Sequence, residues 1–407
     1  MGKFLDRAGI ERLEGYFADI GAVLKDYRRR ASFAMYARGL FGEGERKSVE
    51  PIAARACGDP TDTERAHDRL LHFMTDSKWS DREVRRKAAH HAVGAMTSRD
   101  PVQAWIIDDT GMIKQGVHSV GVQRQYTGSA GKVTNCQVAV SLSLATKTEH
   151  VPVDFELYLP KLWTQDPARR AEARIPDEIE FHTKPELALE MIRRAIADEL
   201  PVGVVLADSD YGDRSDFREQ IRLLGLDYAV GIHATTKVWR VDGLGRRRGE
   251  AVSVKTLAHQ LGRKKFRSVM WRDGTRGPLW SRFARVRVVV EHDDGWEPAQ
   301  REILWLLIEW PDAERDPTKY TLSSLPQVVS KKQLVRLVKE RYRTERVYED
   351  LKGELGFDHY EGRRFPGWHH HISVVLCCFA FIVAERVRRF PPSWRRPARR
   401  DAQPLAA

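Results

Sequence analysis

Apolar and polar residues follow two different rhythms along this chain, and the rhythm changes near residue 100. Before that point apolar positions recur every three or four residues, which predicts helices over Ile10 to Leu24, Ser48 to Ala56, Asp62 to Met74 and Ser80 to Met96. Ser80 and Glu83 have capping-box spacing, in which a hydroxyl and a carboxylate each satisfy a free backbone donor at the helix start. From Val102 the pattern turns to strand-like runs at 102–109, 119–126, 135–144 and 150–157, parted by Gly111, Gly116, Gly128 and Gly131. Helical spacing returns over Pro185 to Glu199, with Thr183 as its cap. A strand at 202–208, a helix from Arg214 to Leu224 and a strand from Asp227 to Ile232 follow. Antiparallel strands first and strand-helix-strand afterwards predict a mixed sheet with helices on its faces.

Further on, Phe283 to His292 and Ile303 to Trp310 read as strands, and Ser330 to Leu355 as one helix capped by Ser330 and stopped by Gly356. A last helix runs from Gly367 to Arg389. Its apolar stretch, Ile372 to Ala384, is too short for a bilayer and is expected to be a buried helix, so no membrane association is expected. The expected organisation is a helical domain at 1–98, a first part of an α/β core at 99–232, a β-rich basic insertion at 233–327, a helical end of the core at 328–390 and a basic tail at 391–407.

Charge sharpens this picture. The chain of 407 residues has 68 Lys+Arg against 57 Asp+Glu, a formal charge of +11, which favours a polyanionic partner, with nucleic acid the expected one. Fifteen of the basic residues and only three acidic ones fall between Lys237 and Arg287, interleaved with Trp239, Trp271 and Trp280. Basic grooves with aromatic platforms suit a phosphate backbone and unpaired bases. Four cysteines without paired spacing and a start lacking an apolar signal core point to a reducing, cytoplasmic setting. No glycine-rich phosphate loop is present, so no nucleotide cofactor is expected. His369 to His371 with Cys377 and Cys378 do not make a zinc site, because consecutive helical residues point in different directions.

The candidate chemistry rests on carboxylates. Asp109 closes the run Val102 to Ile107, Asp208 closes Val202 to Ala207, and Glu345 lies in a helical stretch with Arg341 and Lys352 on its own face. Two strand-borne carboxylates and a helical one are oxygen donors for Mg²⁺ or Mn²⁺, and two such ions about 3.5–4 Å apart form a phosphodiester-cleaving centre. Glu349 lies one turn beyond Glu345 and is not separated from it by spacing. Asp108 adjoins Asp109, and since neighbouring strand residues face opposite ways only one of the two should bind metal.

The spacing Arg341-x3-Glu345-x6-Lys352, the run Ile107-Asp-Asp-Thr-Gly111, the run Leu206-Ala-Asp-Ser-Asp-Tyr-Gly212 and the long interval before Glu345 together resemble bacterial insertion-sequence transposases with a ribonuclease H-like DDE core. That resemblance, over about residues 102 to 375, implies an α/β fold: a ribonuclease H-like mixed sheet flanked by helices, interrupted by a β-rich insertion, with an all-helical N-terminal domain. It implies DNA binding by the helical domain at 1–98 and Asp109, Asp208 and Glu345 as the metal-binding triad, Asp109 being chosen over Asp108 because it directly precedes the threonine, with Asp108, Asp210 and Glu349 as lesser candidates. It places Arg341 and Lys352 on phosphate, and Lys114, Arg124 and Lys132 on DNA. Trp305, Trp310 or Tyr320 is expected to stack on a flipped base. Val338 stands where the family signature has a tyrosine, which removes one phosphate contact. The implied activity is binding of terminal inverted repeats, metal-dependent end cleavage and strand transfer into target DNA by a homodimer, with hairpinned ends as one route. The rival readings are a ribonuclease H-fold nuclease that cuts without joining and an inactive, domesticated DNA-binding protein.

Overall fold

A computed structural model describes residues 6–57, 59–274, 277–291 and 302–389; the expected tail at 391–407 lies outside the described residues. Five helices open the chain: α1 (Arg7–Gly21), α2 (Tyr27–Phe41), α3 (Val49–Ala56), α4 (Pro60–Thr75) and α5 (Asp81–Thr97). Asp6, Asp26, Asp59 and Ser80 cap four of them by accepting backbone N–H groups of the first turn. Helix α2 was not expected from the sequence. Its buried Phe33, Tyr36, Ala37 and Leu40 have helical spacing, but the flanking Arg28, Arg29 and Arg30 dilute the apolar signal.

The chain continues through β1 (Ala104–Ile113), β2 (Gln123–Thr127), β3 (Lys132–Ala145), β4 (His150–Leu157), α6 (Lys161–Thr164), α7 (Pro167–Ala173), α8 (Lys184–Ala197), β5 (Val204–Ala207), α9 (Ser209–Gly212), α10 (Ser215–Leu223) and β6 (Tyr228–Ile232). Strand β3 runs antiparallel to β1 and β4 antiparallel to β3, while β5 is parallel to β1 and β6 parallel to β5. The order β4-β3-β1-β5-β6 is the ribonuclease H arrangement, with helices covering its faces as parallel strands require.

The interval before the last helices holds β7 (Lys237–Val241), β8 (Arg247–Ser253), α11 (Val254–Leu261), β9 (Arg267–Gly274), β10 (Gly277–Val290), β11 (Leu304–Glu309) and β12 (Lys319–Ser323). These strands extend the core sheet: β12 lies antiparallel beside β6, and pairing then passes through β11 and β10 to β7 and β8. The β-rich interval expected at 233–327 is joined to the core through this pairing. The pairing of β12 covers the edge of β6, which would otherwise expose free donors and acceptors.

Three helices close the described chain: α12 (Lys331–Lys339), α13 (Tyr342–Leu355) and α14 (Phe365–Arg389). The single helix expected from Ser330 to Leu355 is broken at Glu340 and Arg341, while the Ser330 cap and the left-handed Gly356 stop are present. Helix α14 is the one helix among the described residues long and apolar enough to cross a membrane, yet 89% of that stretch is buried in the protein. It packs against α5, α2, α4 and β4, so one apolar core runs from Leu13, Phe33 and Leu70 through Trp105 and Phe155 to Trp368 and Phe379. Burying side chains of this size contributes about 1.5–3 kcal/mol each. The N-terminal helices thus share their core with the sheet.

Candidate active site

Asp108 and Asp109 are adjacent on β1 and project from opposite faces. Strand β1 continues to Ile113, because Thr110 and Gly111 still pair with Ala139 and Val138, so both acids sit within the strand rather than at its end. In the parallel pairing with β5, Ile106 aligns with Leu206; two residues on from each, Asp108 and Asp208 come level on one face. Asp108 is paired with Ser141 of β3, whose hydroxyl lies 2.6 Å from the Tyr348 hydroxyl of α13, so this face looks toward α13. Asp109 belongs to the other face: its Oδ2 accepts from Lys184 Nζ at 2.9 Å and from the Tyr211 hydroxyl at 3.2 Å.

Asp208 follows β5 and caps the short α9, accepting the Asp210 backbone N–H at 3.0 Å. Gly231 of β6 lies hard against this turn, since a Cβ there would stand 2.9 Å from Ser209 N and 3.0 Å from the Asp208 carbonyl carbon. Arg341, at the break before α13, sets its Nη2 3.2 Å from Asp108 Oδ2 and 3.7 Å from Asp208 Oδ2. A cavity of about 620 Å³ is lined by these three residues and by Glu345, which is exposed to solvent, with Trp271, Phe283, Tyr320 and Tyr342 among its walls.

Burial raises the Asp108 carboxyl, and the negative charges of Asp208 and Asp109 raise it further against the pull of Arg341, to about 6. Asp208 is raised as well, by burial first and then by Asp210 and Asp109, again opposed by Arg341. Two desolvated carboxylates that repel each other and share one guanidinium are a hard-cation donor set, made of oxygen alone. In chemistry they fit a divalent ion. Among the described residues no three acidic, histidine or cysteine side chains converge into a ready cluster, and Arg341 stands between the two aspartates.

The other expected site residues separate by position. Glu349 pairs with Arg346 at 3.2 Å and does not line the cavity, and Asp210 is exposed beside Asp208. Lys352 directs its ammonium to the Gly111 carbonyl at 2.8 Å and the Ser129 hydroxyl at 2.9 Å, and Lys114 donates to the carbonyls of Tyr360 and Asp358. Lys352 thus links α13 to β1 and to the turn between β2 and β3, and Lys114 links the end of β1 to the segment before α14. Arg124 and Lys132 are exposed on the β2–β3 hairpin. Of the three aromatics singled out for base stacking, Trp310 packs edge-on against Phe266, Trp305 is covered by the guanidinium of Arg285 at 4.0 Å, and Tyr320 lines the cavity. Sequence reading missed Lys184 and Tyr211. Tyr211 stood inside the motif around Asp208, whereas Lys184 fell between the Thr183 cap and the helix expected from Pro185, where nothing marked it.

The sheet order and the level pair of aspartates define a ribonuclease H-like protein with an acidic crevice between β1, β5 and α13. The chain belongs to the DDE superfamily endonuclease family, whose signature matches residues 20–278, and the transposase DDE domain signature matches residues 182–381. It is 28% identical over 214 residues to the probable transposase for insertion sequence element IS701 of Microchaete diplosiphon. That match covers 52% of this chain and 51% of the relative, so the chain spans about half the length of the curated relative it matches. Among solved structures, a piggyBac transposase synaptic complex with hairpin DNA aligns at 10% identity and a TM-score of 0.43, over 89% of this chain and 66% of the other.

Proposed function

We propose that this protein is an insertion-sequence transposase that binds the terminal inverted repeats of its element, cleaves the ends and joins them to target DNA. The observation that carries the reading is the level pair Asp108 and Asp208 facing one cavity with Glu345, with Arg341 between them. Asp108, Asp208 and Glu345 would hold Mg²⁺ or Mn²⁺; this shifts the first ligand from Asp109 to its neighbour, because Asp109 already accepts Lys184 on the opposite face. A bound divalent ion supplies Lewis-acid stabilisation of the charge that develops on phosphoryl oxygens. Arg341 is released from the carboxylates to a phosphate oxygen, where its planar fork suits the geometry. Arg124 and Lys132 on the exposed hairpin contact the DNA backbone and set the register of the end. Two protomers assemble as a homodimer on two ends.

The test uses a labelled duplex cut from the DNA that borders the coding sequence, with a supercoiled target and Mg²⁺ or EDTA. Joined product that requires metal is expected. Cutting without joining would make this a nuclease, and a band shift with neither would make it a binding protein. In the same assay Asp108→Asn, Asp208→Asn and Glu345→Gln should nick at background while still shifting the duplex. An inactive Asp109→Asn beside an active Asp108→Asn would return the ligand to Asp109.

A further inference from the structure

One histidine on the cavity wall plays no part in the chemistry above. His233 follows the last residue of β6, and Asp213 follows the last residue of α9. The two elements touch without room for side chains, since a Cβ on Gly212 would lie 2.2 Å from the Gly231 carbonyl oxygen. This close approach brings Asp213 Oδ2 to 3.0 Å from His233 Nδ1, while Oδ1 accepts the His233 backbone N–H at 3.3 Å and the Thr236 hydroxyl. Asp213 is thereby fixed by three donors. A carboxylate held in this way orients an imidazole with Nδ1–H toward itself and leaves the Nε2 lone pair free. The ring is about half exposed and lines the same cavity as Asp108 and Asp208.

Resting on the transposase reading, we propose that His233 is a catalytic residue of this site, acting as the base that takes the proton of the attacking hydroxyl, and that Asp213 is its positioning residue. In the hydrolytic step a water oxygen bonds to phosphorus as the bond from phosphorus to the 3′ oxygen breaks. Nε2 takes the water's proton and passes it to the departing 3′ oxygen, leaving a 5′-phosphate end and a 3′-hydroxyl. In joining, Nε2 takes the proton of that 3′-hydroxyl, whose oxygen bonds to a target phosphorus as the bond from that phosphorus to the target's own 3′ oxygen breaks, and the proton passes to this departing oxygen. The charged groups facing the same cavity are Asp108, Asp208 and Glu345, with Arg341 between the aspartates, Lys319 from β12, and the paired Glu309 and Lys339.

The experiment follows nicking by the full chain of a supercoiled plasmid carrying the bordering DNA, with Mg²⁺, from pH 5.5 to 8.5. His233→Gln should slow nicking about 100-fold or more and reduce the fall in rate on the acid side to the part that the Asp108 carboxyl sets, because a general base contributes about 10²–10⁴-fold. Asp213→Asn should slow nicking less and displace the acid limb, with thermal midpoint and duplex binding unchanged in both variants. A His233→Gln protein with the wild-type rate and profile overturns the proposal. So does a loss of rate matched by a lower midpoint and weaker binding, which would make the pair a staple of the turn after β6. Wild-type protein that never nicks sinks the transposase reading together with this proposal, whereas wild-type nicking with an unaltered His233→Gln sinks this proposal alone.

Discussion

Replacing Arg85 with methionine tests whether the N-terminal helices and the sheet form one cooperative body. Arg85, 3% exposed on α5, binds Asp81 at 2.6 Å and Ser373 of α14 at 3.1 Å, and its Nε lies 3.0 Å from Asp154 on β4. Arg194 of α8 reaches Asp154 and Glu156 from the other side, at 2.8 and 2.7 Å. Asp81 shows how strongly this arginine acts: burial pushes its carboxyl up, yet Arg85 foremost, with His369 and His370, holds it at about 2. Removing one partner of a buried ionic group costs about 3–5 kcal/mol, and the lower end applies here because Arg194 still compensates. At about 2 °C per kcal/mol for a chain of this size, the thermal midpoint should fall by about 6 °C in one transition. The deficit also has a sign in pH. Asp81 held low by Arg85 contributes stability above its unfolded value of about 3.9 that is lost as pH falls toward 2; the variant lacks this contribution, so the deficit is full at neutral pH and shrinks as pH falls below about 4. Scanning calorimetry of both proteins at several pH values reads this directly. A midpoint within 1 °C of wild type, or a deficit that does not vary with pH, would refute the reasoning.

Three further outcomes follow from other parts of the structure. Gly231→Ala should move the Asp208 turn, because its Cβ meets backbone atoms at 2.9–3.0 Å; nicking should fall while duplex binding persists, and unchanged nicking would show that the turn yields freely. His150, His369 and His371 are driven down by burial, to about 3, 3 and 4, so unfolding takes up protons below the unfolded value of about 6.5. Stability should therefore be complete near pH 7 and lost as pH falls from about 6.5 toward 4, by up to about 2 kcal/mol per histidine at pH 5, and a thermal midpoint flat across that range would contradict it. Lys352→Met removes two hydrogen bonds that tie α13 to Gly111 and Ser129. It should cost about 1–3 kcal/mol in urea unfolding, whereas weaker duplex binding at unchanged stability would assign Lys352 to phosphate.

Much of the architecture was legible because it is local. Strand-like runs marked β1, β3 and β4, helical spacing with the Thr183 and Ser330 caps marked α8 and α12, and the run Ile372 to Ala384 marked a buried helix. The carboxylates at 108, 109, 208 and 345 were likewise visible as residues attached to identifiable elements. Helix α2 was lost because three arginines mask its apolar stripe, and the break at Glu340 and Arg341 was lost because helical periodicity continues across it.

The sequence by itself determined which elements form and which chemical groups they carry, since propensity, capping and periodicity act within a few residues. Only the tertiary structure decided which of Asp108 and Asp109 comes level with Asp208. Alternation requires the two to face opposite ways, but the register of β1 on β5 selects the one that faces α13. It also decided that β12 pairs with β6, that Lys352 and Lys114 bridge backbone segments, and that His233 meets Asp213 across a contact that only glycine permits. Each of these depends on packing between segments tens to hundreds of residues apart, which no local pattern encodes.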